Sequence, residues 1–228
     1  MTSTKDIDKK IALELHTINL ENSIARQYLA ELRDINTQHD RLRFRKNLER
    51  MGEILAYEMS KSLPYEEKVI DTPKTETKVM VLAEQPVLIP ILRAAVSFFN
   101  GILNIFDHAD AGFIGAYRSN DFAQTGEIEL GYSALPDIND RILVLIDPML
   151  ATGKSLVDTV NKICQTGKPK HIHIIAVIAT PAGIGHVGES VDLPVDIWCG
   201  AIDEELNDQA YIVPGLGDAG DLAFGPKL

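Results

Sequence analysis

The apolar positions of the chain fall into two kinds of run. Between residues 40 and 61, Phe44, Leu48, Met51, Leu55 and Met59 recur at steps of three and four, which places them on one helical face; Pro64 closes that helix. Residues 23–32 predict a shorter helix before it. PVLIPIL (86–92) and RILVLID (141–147) hold buried strands, and the largely apolar stretches 171–179 and 195–199 predict two more; all are too short for helices. GFIGAYR (112–118) predicts a further strand. Helical spacing follows at 94–106, at 152–167 through Leu156, Val160 and Ile163, and again after Pro181. Strands alternating with helices predict an α/β fold, a parallel sheet with helices on both faces.

The remaining segments read differently. Residues 69–71 and 78–82 flank the turn-rich TPKTET and predict a β-hairpin or flap. A polar stretch at 119–125 precedes a second extended flap at 127–135. Ile11, Leu13, Leu15 and Ile18 predict a strand or docking arm within a polar N-terminal extension, residues 1–20; residues 21–228 read as one domain. The final segment, YIVPGLGDAGDLAFGPKL, reads as too rich in glycine and proline for regular structure.

Composition narrows the classes. The 228 residues suffice for a sizeable core without staples. With 22 basic and 33 acidic residues the net charge is −11, which repels nucleic acid and anionic lipid. An anionic ligand must then be held by a local positive site, so isolated Arg and Lys residues in loops gain interest. No apolar stretch reaches the roughly 18 residues of a membrane helix. MTSTKDIDKK holds no apolar signal core, and Cys164 and Cys199 have no metal-ligand spacing. Buried free thiols in a cytoplasmic protein are expected. The six histidines are scattered; His171 and His173 are expected to face out of their strand rather than ligate a metal.

The strongest chemical signal is VLIDPMLATGKSL (144–156). A buried strand delivers Asp147 at its carboxyl end, where ligands bind in open α/β sheets. Residues 148–152 then open a helix at Gly153, whose free amides suit a phosphate, with Thr152 and Ser155 adding hydroxyls. Each charge-assisted hydrogen bond there contributes about 1.5–3 kcal/mol. Asp147 suits ribose hydroxyls. A plain βα turn capped by Thr152 is the alternative on this pattern alone. GKS has the look of a P-loop ending, but Pro148 stands where that motif needs its first glycine.

At this point the sequence resembles a known family. DPMLATGKS looks like the DPMLATGGS phosphoribosyl pyrophosphate loop of uracil phosphoribosyltransferases. PILRAA (90–95) resembles their PILRAG loop, GAYR (115–118) their G-x-YR segment, and YIVPGLGDAGDLAFG (211–225) their uracil-binding loop. The likeness runs in order from about residue 20 to 228.

The resemblance implies a type I phosphoribosyltransferase-like fold with a hairpin flap and an irregular C-terminal base-binding loop. It implies transfer of phosphoribose to uracil, giving UMP and pyrophosphate. Asp147, Pro148, Met149, Leu150, Ala151, Thr152, Gly153, Lys154 and Ser155 would hold ribose and 5-phosphate, and Arg93 and Arg118 the pyrophosphate, for which the guanidinium fork is suited. Backbone groups of Ile212, Gly217, Asp218 and Ala219 would read uracil. Mg²⁺ would arrive on the diphosphate with no direct protein ligand, near Asp218; the catalytic set is then Arg93, Arg118, Asp147 and Asp218. A homodimer or larger assembly is also implied.

Four positions depart from the family pattern. Ala95 and Lys154 replace glycines, Leu222 a basic residue and Pro226 a threonine. If the loop needed positive φ at Ala95, the cost would be about 1–2 kcal/mol. These changes keep two alternatives open: a nucleotide-sensing regulatory protein on the same fold, and a phosphoribosyltransferase for another base.

Overall fold

Parallel pairing of the apolar runs builds the centre of the molecule. The computed structural model describes residues 13–18, 23–118 and 128–227. Strands β4 (Val87–Leu92), β8 (Ile142–Ile146), β10 (His171–Ala179) and β11 (Val195–Ile202) lie side by side, each parallel to its neighbour. β1 (Leu13–Thr17) adds to β11 in parallel, so the segment expected as a strand or docking arm is an edge strand. At the other side β6 (Phe113–Arg118) pairs in parallel with β4, and β7 (Ile128–Ala134) closes the sheet antiparallel to β6. The spatial order is β1-β11-β10-β8-β4-β6-β7. Two short strands, β5 (Asp110–Ala111) and β9 (Met149–Leu150), attach to β4 and β10. Residues 119–127, where the polar stretch and the start of the second flap were expected, lie outside the described residues, as do residues 1–12 and 19–22 of the N-terminal segment.

Alternation along β8 shows why the central runs are continuously apolar. Ile142, Val144 and Ile146 enter one core, Leu143 and Leu145 the other. The first core is covered by α1 (Ile24–Arg33), α2 (Arg41–Ser60) and α3 (Val96–Ile105); the second by α4 (Lys154–Ile163) and α5 (Pro181–Ser190). Asp40 caps α2 by accepting from Arg43 N–H at 3.0 Å, and the predicted face Phe44, Leu48, Met51, Leu55 and Met59 is wholly buried. Each such side chain contributes about 1.5–3 kcal/mol of burial energy.

The predicted hairpin is β2 (Tyr65–Asp71) paired antiparallel with β3 (Glu76–Leu82). Thr72 closes its turn, N–H to Thr75 O at 3.0 Å. All seven residues of β2 are exposed.

Two expectations are corrected. The C-terminal segment does contain regular structure: β13 (Ile212–Val213) pairs with β12 (Glu205–Leu206), and Ala219–Phe224 forms a short helix, α6. Asp218 initiates that helix by accepting from Asp221 N–H at 2.9 Å, and burial of Ala219 and Ala223 holds it on the first core. Cys164, expected to be buried, is exposed, because it ends α4 at the surface; Cys199 is buried, and both are free thiols. Among the described residues no helix is long and apolar enough to cross a membrane.

Candidate functional site

Because the central strands are parallel, their carboxyl ends share one edge. There β4 delivers Arg93, β8 delivers Asp147, β10 delivers Thr180 and β11 delivers Asp203. The loop after Asp147 is stitched to the end of β10. Pro148 O accepts Val177 N–H at 3.0 Å, and Leu150 O accepts Thr180 N–H at 3.0 Å. The Thr180 hydroxyl donates to Ala151 O at 2.6 Å and accepts from Gly183 N–H at 3.0 Å, so one side chain caps α5 and fixes the loop. Sequence reasoning passed over Thr180. The signal was present, a Thr-Pro pair at cap and first helical position.

Gly153 stands at the start of α4 with φ +76°, a left-handed conformation that glycine adopts without penalty. A Cβ there would lie 2.8 Å from Gly183 O, so loop and α5 touch backbone to backbone. α4 has no side-chain cap; Lys154 N–H reaches Thr152 Oγ1 only at 3.4 Å. This start of a helix, with Thr152 and Ser155 half-buried beside it, offers donors to an anion. Lys154 is exposed at the first helical position.

Asp147 keeps some surface at the mouth of the site, but its carboxyl lies deep among the strand ends. Desolvation pushes it up to about 7; the hydrogen bond from Met149 N–H, at 3.2 Å, pulls the other way. A carboxyl so poorly supplied with donors is suited to receive ligand hydroxyls.

On the other side of the edge the C-terminal loop is clamped from below. Arg33, in the last turn of α1, grips Asp203 with two hydrogen bonds of 2.7 and 2.8 Å and donates to Gly215 O at 2.9 Å. Asp203 in turn accepts Gly215 N–H at 2.9 Å. Arg45 donates to Ala223 O at 2.8 Å. Gly215 and Gly217 take φ of +62° and +84°, and the Val213–Pro214 peptide is cis. Ile212 is buried opposite Leu206, while Gly217 is exposed with Leu222 leaning toward it. Neither Arg33 nor Asp203 was picked out from the sequence, because nothing local marks a pairing 170 residues apart.

Arg93 joins the two halves. Its Nη2 lies against Asp221 Oδ1 and donates to Gly225 O at 2.7 Å. Its Nε is shielded from solvent and has no hydrogen-bond partner. A Cβ on Gly220 would sit 3.2 Å from Asp218 Oδ1 and 3.6 Å from Arg93 Nε, so Arg93 and Asp218 flank the same glycine. Arg118 ends β6, the neighbour of β4, but its side chain lies outside the described residues. Ala95 has φ −73° and is fully buried, so the left-handed penalty does not arise.

An acid-ended strand, an anion-ready helix start and an arginine loop on one carboxyl edge suit an α/β transferase acting on a phosphorylated sugar. The comparisons agree. The family model for uracil phosphoribosyltransferase matches residues 19–226. A uracil phosphoribosyltransferase from Porphyromonas gingivalis is 41% identical over 216 residues, covering 95% of this chain and 100% of that protein. One from Pyrococcus furiosus is 39% identical over 205 residues, covering 89% of this chain and 86% of its own. A solved protein structure from Aquifex aeolicus superposes with a TM-score of 0.82 at 33% identity, over 95% of this chain and 100% of that one. The chain belongs to the uracil phosphoribosyltransferase family, whose members are pentosyltransferases.

Proposed function

We propose that this protein transfers the 5-phosphoribosyl group of phosphoribosyl pyrophosphate to uracil, forming UMP and releasing pyrophosphate. The observation that carries the reading is Arg93. It stands at the carboxyl end of β4 and is tethered to the helix that follows the base loop, so one guanidinium adjoins the places proposed for pyrophosphate and for uracil.

In this reading the amides at the start of α4, with Thr152 and Ser155, hold the 5-phosphate, and Asp147 accepts from ribose hydroxyls. Arg93 and Arg118 neutralise charge as the bond from C1 to the pyrophosphate oxygen breaks. Positive charge develops on the sugar ring while uracil nitrogen attacks C1 from the opposite face, losing its proton to water or to the departing pyrophosphate. Peptide groups of Ile212, Gly217, Asp218 and Ala219 present donors and acceptors to the uracil edge, and the Arg33–Asp203 clamp keeps that backbone rigid. Catalysis is then positioning and charge stabilisation, with no protein nucleophile.

The residues also fit Mg²⁺, a hard cation that prefers oxygen ligands and keeps several waters. Asp218 is half-buried at the rim and supplies only oxygens, one of which caps α6. Asp218, through water, would hold Mg²⁺ arriving with the diphosphate; when bound, the ion neutralises the leaving group. The reading includes residues 21–228 as one catalytic domain, a cytoplasmic setting and a homodimer or larger assembly. Exposed Val69, Ile70 and Met80 on the hairpin support a second copy packing there.

A structure of the protein soaked with phosphoribosyl pyrophosphate tests the assignment of groups. Density for the 5-phosphate at the Gly153–Ser155 amides, with Arg93 turned from Asp221 to the diphosphate, is expected. A donor bound without either contact would overturn it.

A further inference from the structure

Far from the carboxyl edge, near the start of β10 and β11, three strands set polar side chains in a row. Glu14 pairs with Asp196, and Asp196 with His173; in the next row His16 pairs with Trp198. His171 and His173, expected to point outward, instead turn to the Asp196 carboxylate on the face shared with Trp198 and the first core. Asp196 is only 8% exposed. Its Oδ2 lies 3.1 Å from His171 Nε2 and 3.4 Å from His173 Nδ1. His173 Nδ1 accepts the indole N–H of Trp198 at 3.2 Å. An indole only donates, so that nitrogen carries no proton and faces the carboxylate as one acceptor faces another.

On the opposite side of Asp196, the His16 ring stacks on Trp198 at 3.9 Å and 7° from parallel, which fixes its plane. His16 Nε2 is shielded from solvent and has no hydrogen-bond partner, although Glu14 Oε2 stands 3.6 Å away. The ligand atoms of Glu14, His16 and Asp196 lie within 4.8 Å of one another, and so do those of His171, His173 and Asp196.

We propose that Glu14, His16 and Asp196, with water completing the shell, form a binding site for one divalent transition-metal ion of the zinc class, tying the edge strand β1 to β11, while His171 holds Asp196 from β10. A buried carboxylate requires a compensating charge. His173 does not bring one, because its Nδ1 accepts from the Trp198 indole and the ring is therefore neutral. An ion pair with protonated His171 would serve one side of Asp196 but leaves the His16 nitrogen orphaned. A metal on the β1 side of Asp196 gives that nitrogen a partner. Ligand atoms held about 2.0–2.1 Å from a tetrahedral ion sit roughly 3.3–3.4 Å apart. The Glu14–His16 spacing, 3.6 Å, is close to that value. An imidazole beside two carboxylates selects zinc, cobalt or nickel over magnesium, which favours oxygen alone. His173 is left as the acceptor for Trp198 and so positions the ring on which His16 stacks.

The test uses the untagged full chain, stripped with chelator and titrated with Zn²⁺ by calorimetry in excess Mg²⁺, with bound metal counted by mass spectrometry. One zinc per chain and a rise in Tm on zinc addition are expected. Glu14→Gln and His171→Ala, which alter exposed or half-exposed side chains outside the transfer site, should each weaken zinc by about tenfold or more and shrink the zinc-dependent rise in Tm, while UMP formation stays unchanged. Absence of stoichiometric zinc, or zinc binding equal to wild type in both variants, overturns the proposal. The first result leaves a histidine–aspartate hydrogen-bond network; the second places the metal elsewhere, the exposed Cys164 included.

Discussion

Arg93 and Asp221 are 128 residues apart in the chain, yet their side chains form an ion pair that fastens the end of β4 to the C-terminal helix. Both are partly open to solvent, 32% and 40% exposed, so the pair contributes at most about 1 kcal/mol. Its consequence is competition. The carboxylate occupies the guanidinium that the reading assigns to pyrophosphate. Asp221→Asn removes the competing charge and keeps the shape, so product inhibition by pyrophosphate should tighten up to about fivefold, the equivalent of 1 kcal/mol. Steady-state inhibition by pyrophosphate measures this. Weaker inhibition would mean that Asp221 organises Arg93 rather than competing for it.

Gly153 combines positive φ with backbone contact to Gly183. Gly153→Ala should lose about 1–2 kcal/mol from the left-handed conformation alone, with an additional loss from the crowded contact, and should raise KM for the phosphoribosyl donor. Urea unfolding and donor kinetics check both. Stability equal to wild type would show that the loop shifts freely, contrary to its clamping by Thr180.

Asp147 gives a pH signature. Its folded value near 7 lies above the ordinary carboxylate range, so the folded state holds a proton that the unfolded state has released. Stability is then full below about pH 4 and declines as pH rises toward 7, by at most about 1.4 kcal/mol per unit. Asp147→Asn has no such decline, so its stability relative to wild type should grow from pH 4 to 7 and level off above. Donor binding runs the other way: ribose hydroxyls need the ionised carboxylate, so wild-type donor affinity should improve as pH rises through 7. Denaturation of both proteins at pH 5 and pH 8 decides the first point; parallel behaviour would refute it.

Lys154 is exposed at the first position of α4, beside the proposed phosphate. A cation at a helix N-terminus is mildly unfavourable in the free protein and favourable once an anion is bound. Lys154→Gly should weaken donor affinity and flatten its dependence on salt concentration. Unchanged affinity together with an unchanged slope would remove Lys154 from the site.

The sheet and its helices were legible because strands buried on both faces carry unbroken apolar runs, as in residues 142–146 and 174–179. The strand–acid–loop–helix unit was legible for the same reason: chain continuity alone carries Asp147 to Gly153. Two features were not. Helix α6 lies among glycines whose propensity argues against it, and it exists because Asp218 caps it, Arg93 and Arg45 hold its carbonyl end, and two alanines are buried. The inward histidines share a strand with core residues on both faces, so alternation gives no direction there; the deciding partner, Asp196, is supplied by the neighbouring strand.

The central claim is the identity of the acceptor base. Purified protein with Mg²⁺ and phosphoribosyl pyrophosphate, offered uracil, cytosine, hypoxanthine, guanine and adenine in turn, with products resolved by chromatography, tests it directly. The account predicts UMP and stoichiometric pyrophosphate with uracil alone. Turnover with a purine and not with uracil, or donor binding with no turnover of any base, would contradict it.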